Sequence, residues 1–149
     1  MKAGELCVRD VIVADTASGV KEIAGLMREF HVGDIVIVKD RETCREPVGI
    51  VTDRDIVIEL IARDTPVEAC SAGDIMSSEL YTAREDEPVW QVIQSMRDKG
   101  VRRVPVIDSG NCLVGILSWD DVIDFLAEEM KAMASLSLQS RRREEKSRR

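Results

Sequence analysis

Gly49-Ile50-Val51-Thr52-Asp53-Arg54-Asp55-Ile56 and Gly115-Ile116-Leu117-Ser118-Trp119-Asp120-Asp121-Val122 are one pattern written twice. In each copy a glycine leads aliphatic residues, a hydroxyl follows, and a carboxylate stands three residues beyond the hydroxyl. The aliphatic run reads as a strand and its polar end as the opening of a helix. A strand passing into a helix there presents hydroxyl and carboxylate together at the strand's C-terminal end, where open α/β architectures keep their ligands. Thr52 and Ser118 also suit helix N-caps, and Asp55 and Asp121 suit a first helical turn, where the dipole favours carboxylates. For one copy the structural and functional readings balance. The repetition favours function.

Working outward from the first copy, residues 34–40 form a short apolar run with charged ends, the mark of a buried strand. Residues 41–46 are a polar turn and 47–52 a strand. The helix opened by Asp53 carries Ile56, Leu60 and Ile61, and Asp64-Thr65-Pro66 closes it. Upstream, residues 8–14 pass for a strand. Ser18 suits an N-cap for a helix faced by Val20, Ile23, Ala24, Met27 and Phe30. The same order then returns. A strand covers 80–83, and Pro88 opens a helix striped by Val89, Val92, Ile93 and Met96 and ended by Gly100. Residues 104–108 are the counterpart of the buried run, 112–118 the next strand, and the last helix carries Val122, Leu126, Met130 and Met133. Val20, Ile23, Ala24 and Met27 align with Val89, Val92, Ile93 and Met96 at an offset of 69, and Gly49 aligns with Gly115 at 66. Two strand–helix–strand–strand–helix copies, each too small to close a core, predict a mixed α/β (α+β) pair packed through its sheets. The divisions are 1–65 for the first repeat, 66–134 for the second, and 135–149 for a basic tail. The helical pattern fades after Met133, which predicts a frayed end and then disorder.

Composition fits such a pair. The 149 residues are 44% hydrophobic and 33% charged but only 3% aromatic, so the core must come from Val, Ile, Leu, Ala and Met. No apolar run reaches the ~18 residues of a membrane span, and the N-terminus lacks a signal-like stretch, which points to a cytoplasmic, membrane-free protein. Cys7, Cys44, Cys70 and Cys112 are scattered singly and His31 is the sole histidine. Reduced, apolar-packing thiols are therefore expected rather than a zinc site. The net charge is −7, yet residues 141–149 hold six basic and two acidic side chains, leaving −11 on the remainder. An acidic body disfavours non-specific nucleic-acid binding, so any such activity would live in the tail.

With both motifs and the Val101-Arg102-Arg103-Val104-Pro105-Val106-Ile107-Asp108 strand in view, the sequence resembles a tandem pair of CBS (cystathionine β-synthase) domains. The resemblance runs from Gly4 to about Met133 and leaves only the tail outside. Without an accompanying catalytic domain, the pair is similar to the stand-alone bacterial and archaeal proteins of that family. The resemblance implies two pseudo-symmetric β-α-β-β-α repeats packed into one Bateman-type module. It also implies a regulatory, energy-sensing role in which an adenine nucleotide (AMP, ADP or ATP) is the ligand. S-adenosylmethionine and NAD share the adenosine contacts. Carried onto this chain, Thr52 and Asp55 hold the ribose opposite Arg102 and Arg103, with Arg54 alongside, in a site rich in positive charge. Ser118 and Asp121 form the second cradle, opposite Gly33 and Asp34, with Asp120 in the place of Arg54. One phosphate-competent site is expected, and one that is empty or takes an uncharged adenosine compound.

An enzyme is disfavoured by the single histidine and by the lack of both a P-loop and a nucleophile with a nearby base. The alternative reading is binding of nucleic acid or an acidic partner through the Arg-rich tail. Apolar helix positions at Ile61, Phe125 and Met130 suit the homodimer that the resemblance implies. Trp90 and Trp119 are read as core or dimer-contact residues and His31 as a packing or cap residue. The regulated protein is not legible.

Overall fold

The computed structural model describes residues 1–77 and 79–147. It comprises two units, Met1–Leu117 and Ser118–Arg149. The elements in chain order are α1 (Ala3–Leu6), β1 (Val13–Asp15), α2 (Val20–Phe30), β2 (Asp34–Asp40), β3 (Arg45–Thr52) and α3 (Asp53–Ile56). A π-helical turn over Val57–Ile61 extends α3, and a 3-10 turn, Val67–Ala69, follows. Then come α4 (Ala72–Ile75), β4 (Ala83–Arg84), α5 (Val89–Lys99), β5 (Arg103–Ile107), β6 (Leu113–Ser118) and α6 (Trp119–Ser147). The strands make two three-stranded sheets, β1-β2-β3 and β4-β5-β6. In each the first pair is parallel. The repeat expected from sequence is present, with one extra short helix leading each copy.

Strand β2 shows why its sequence is an unbroken apolar run. Side chains alternate across a sheet, so Ile35 and Ile37 face one way and Val36 and Val38 the other. Ile35 and Ile37 join Val20, Ile23 and Met27 of α2, Val51 of β3 and Leu60 in one buried cluster. Val36, Val38 and Ile50 form a second cluster, against which Leu80, Leu113 and Ile116 of the second repeat pack. A strand buried on both faces keeps no polar alternation. The sheets thus bury each other, as the repeat requires.

The helices repeat as well. Val20, Ile23 and Met27 are buried on α2, and Val89, Val92 and Met96 on α5, each pair 69 residues apart. Ala24 and Phe30 are exposed, so they lie outside the buried stripe assigned to them. The N-cap of α2 is Gly19 rather than Ser18, whose hydroxyl instead accepts from the Asp15 N–H at 3.3 Å. Both helices stop on a left-handed residue, Gly100 at φ 67° and, 69 residues earlier, His31 at φ 54°. His31 is therefore a C-cap.

The short helices α1 and α4 cross over between repeats. The Ala3 N–H donates to Glu87 O and the Gly4 N–H to Glu85 O, both at 2.9 Å, and Val8 and Ile116 exchange two hydrogen bonds. Correspondingly, the Ala72 N–H donates to Ser18 O, the Gly73 N–H to Thr16 O and the Ser77 N–H to Ile50 O. Ala3 and Ala72 are fully buried. This crossover explains the glycine that leads each motif. A Cβ on Gly49 would meet Met76, which follows α4, and one on Gly115 would meet Cys7 and Val8, which follow α1.

Several sequence expectations are corrected. The strands expected at 8–14 and 80–83 shorten to Val13–Asp15 and Ala83–Arg84, because the residues before them cross to the other repeat or lie in connections. Cys44 and Cys112 are not reduced thiols. They form a disulfide with a Cα–Cα distance of 5.7 Å, joining the turn before β3 to the equivalent turn before β6. Cys7 and Cys70 are outside it, half-buried.

In the second unit, α6 continues to Ser147, where a frayed end and a disordered tail were expected. Residues 134–147 hold Ala, Ser, Leu, Gln, Arg, Glu and Lys without glycine or proline, all strong or adequate helix formers. Their side chains are exposed, so the fading apolar pattern marks the loss of a buried face, not of the helix. Arg148 and Arg149 lie outside the described residues. Trp90 and Trp119 are exposed and so do not belong to the core. No helix among the described residues is long and apolar enough to cross a membrane.

Candidate ligand site at the end of β3

At Thr52 the chain leaves β3 with extended backbone (φ −107°, ψ 161°) and becomes the N-cap of α3. Thr52 Oγ1 accepts from the Asp55 N–H at 3.1 Å, and Asp55 Oδ2 accepts from the Thr52 N–H at 2.8 Å. This reciprocal capping box fixes both side chains without any ligand. The cap reading of the motif is therefore true, and it also pre-organises the proposed cradle. The box engages Oδ2; among the described residues nothing donates to Oδ1. Ser118 and Asp121 repeat the box. The Ser118 N–H donates to Asp121 Oδ2 at 2.9 Å and the Asp121 N–H to Ser118 Oγ at 3.1 Å. The Ser118 hydroxyl also donates to Asp121 Oδ2.

Strand register then sets the neighbour of Thr52. In the antiparallel β2–β3 ladder its partner is Asp34, whose Oδ1 accepts from Arg103 Nε at 2.7 Å. Arg103, the first residue of β5, thus reaches the end of β3 through Asp34. The pair joins equivalent positions of the two repeats, 69 residues apart. It is also sheltered, with the Asp34 side chain 12% exposed and that of Arg103 35%. Burial pushes the Asp34 carboxyl above the usual aspartate range. Arg103 pulls it back and the nearby Asp53 adds to the rise, so desolvation outweighs the ion pair. Asp53 leans on the same corner, its N–H donating to Gly33 O at 3.0 Å.

The predicted residues are therefore gathered in part. Thr52 and Asp55 are locked together, and Arg103 stands at their strand's end. Arg54 is exposed beside them, its N–H donating to Asp53 Oδ1 at 2.8 Å. Arg102 is exposed as well. Sequence reasoning missed the role of Asp34. In the β2–β3 ladder it sits next to Thr52, and it holds Arg103. Asp34 and Asp53 thus share this corner with Arg103. The signal was available, since an antiparallel pairing of 34–40 with the strand ending at Thr52 brings the two ends together. A cavity of about 460 Å³ lies elsewhere in the first unit, lined by Glu79, Leu80, Tyr81, Thr82, Lys99 and Val101. Lys99 Nζ stands 5.5 Å over the Tyr81 ring.

The CBS domain model matches the chain twice, over residues 3–62 and 72–128. The protein belongs to the CBS domain family. As a tandem CBS pair it is 36% identical over 138 residues to the uncharacterized protein MK0525 of Methanopyrus kandleri, covering 88% of this chain and 69% of that one. The CBS domain pair of protein MJ0100, solved in complex with 5′-methylthioadenosine and S-adenosyl-L-methionine, matches with a TM-score of 0.74 at 26% identity. That match covers 87% of this chain and 98% of the other. The CBS domain protein PAE2072 from Pyrobaculum aerophilum, complexed with AMP, matches at 0.72 and 27% identity over 81% of this chain and 89% of that one.

Proposed function

We propose that this CBS pair is a non-catalytic regulatory module. It binds an adenosine-containing ligand at Thr52 and Asp55, with AMP, ADP and ATP foremost, and signals occupancy to a partner protein. The observation that carries the reading is the end of β3, where a hydroxyl and a carboxylate are fixed by their own capping box beside the Asp34–Arg103 pair. A carboxylate can accept both vicinal ribose hydroxyls, and hydrogen bonds to a charged group contribute roughly 1.5–3 kcal/mol each. Arg54, Arg102 and Arg103 supply planar donors suited to phosphate. The adenosine compounds in the MJ0100 and PAE2072 complexes support the choice of ligand class. The Ser118–Asp121 copy keeps the cradle, but Asp120 replaces the arginine, so it is the weaker site and suits an uncharged adenosine compound. The repeats divide at 65/66, and the module works as a homodimer, as family resemblance implies.

Mass spectrometry of ligand released from the purified protein tests the reading. An adenosine compound is expected. A different small molecule, retained at one per chain, would refute the ligand class.

A further inference from the structure

The Asp34–Arg103 ion pair has a consequence for the ligand, provided the Thr52–Asp55 reading above holds. Arg103 is tied to that site through Asp34, the cross-strand partner of Thr52. Its Nε–H is already committed to the Asp34 carboxylate at 2.7 Å. The pair as a unit carries no net charge, and Asp53 adds a further carboxylate at the same corner. A phosphate approaching Arg103 therefore meets a neutralised guanidinium backed by a sheltered anion. In such a poorly solvated place like-charge repulsion is weakly screened.

We infer that Asp34 is a selectivity residue of the Thr52–Asp55 site, setting how strongly the site prefers a phosphorylated adenosine over an unphosphorylated one by neutralising Arg103. With Asp34 charged, a 5′-phosphate adds less to the affinity than it would beside an unpaired Arg103. The pair also ties β2 of one repeat to β5 of the other, so a phosphate that draws Arg103 away changes the packing between repeats.

The substitution Asp34→Asn isolates the charge. The amide keeps an oxygen that can accept from Arg103 Nε, so the arginine stays positioned. Burial already works against the charged form of Asp34, and Arg103 remains about a third exposed to water, so the variant is expected to fold. The readout is the ratio of AMP affinity to adenosine affinity, measured by calorimetry on the full chain. Asp34→Asn is expected to raise that ratio about tenfold, the scale of one charge-assisted hydrogen bond. The increase should vanish in the Asp34→Asn/Arg103→Ala double variant, because it is delivered through Arg103. An unchanged ratio overturns the inference. So does a lower one, which would make Asp34 a positioning residue for Arg103. If neither AMP nor adenosine binds the wild type or the variant, the reading of the site falls and this inference with it. Binding of both ligands with an unmoved ratio sinks the inference alone.

Discussion

Replacing Cys44 and Cys112 by serine is expected to lower the free energy of unfolding by about 4 kcal/mol. The two cysteines are 68 residues apart, so their bond closes a long loop in the unfolded chain. The entropy removed from the unfolded ensemble grows with the logarithm of loop length, which places this cross-link near the upper end of the usual range. Each cysteine sits in the turn before the last strand of its repeat. The bond therefore also holds equivalent turns of the two repeats together. Urea denaturation of the double serine variant beside the oxidised wild type measures the effect. The midpoint should fall strongly, and the wild type treated with a thiol reductant should follow it. An unchanged midpoint would mean that the link adds no stability.

Gly115→Ala is expected to cost about 3 kcal/mol, the upper part of the range for overpacking a tight site. Its Cβ would lie 2.5 Å from Cys7 Sγ and 2.9 Å from the Val8 carbonyl oxygen. Val8 is anchored to Ile116 by two hydrogen bonds of 2.9 Å, so the backbone cannot yield without losing them. Gly49→Ala meets the Met76 side chain instead, with Sδ at 2.5 Å and Cβ at 3.0 Å. Methionine is flexible and can partly move aside, so about 1–2 kcal/mol is expected there. Thermal unfolding of the two variants decides it. A Gly115→Ala variant no less stable than Gly49→Ala would count against the crossover packing of α1.

What the sequence made legible follows from the physics of each signal. The strand at residues 34–40 is legible with its observed bounds because burial on both faces leaves an unbroken apolar run between charged ends. Helices α2 and α5 are legible because a buried stripe recurs at helical spacing. By contrast, α1 and α4 have four residues each, barely one turn, and show no periodicity. They bury one or two residues each, Ala3 in α1 and Ala72 and Ile75 in α4, too few to make a stripe. The disulfide left one overlooked trace. The separation of 68 between Cys44 and Cys112 is close to the repeat offset, so the repeat itself puts them in equivalent turns. The end of α6 escapes a pattern-based reading because an exposed helix needs only helix-forming residues, not an apolar stripe. At the site, the Thr52–Asp55 spacing is local and visible. The Asp34–Arg103 pair links the two repeats, and no local pattern encodes it.

Asp55 is, on this reading, the ribose-holding carboxylate of the stronger site, and everything proposed for the ligand depends on it. Calorimetric titration of the full chain with AMP, wild type against Asp55→Ala, tests that role most directly. One dominant site per chain is predicted, weakened about a hundredfold in the variant, the loss of one to two charge-assisted hydrogen bonds. Two equal sites, or undiminished AMP affinity in Asp55→Ala, would contradict it.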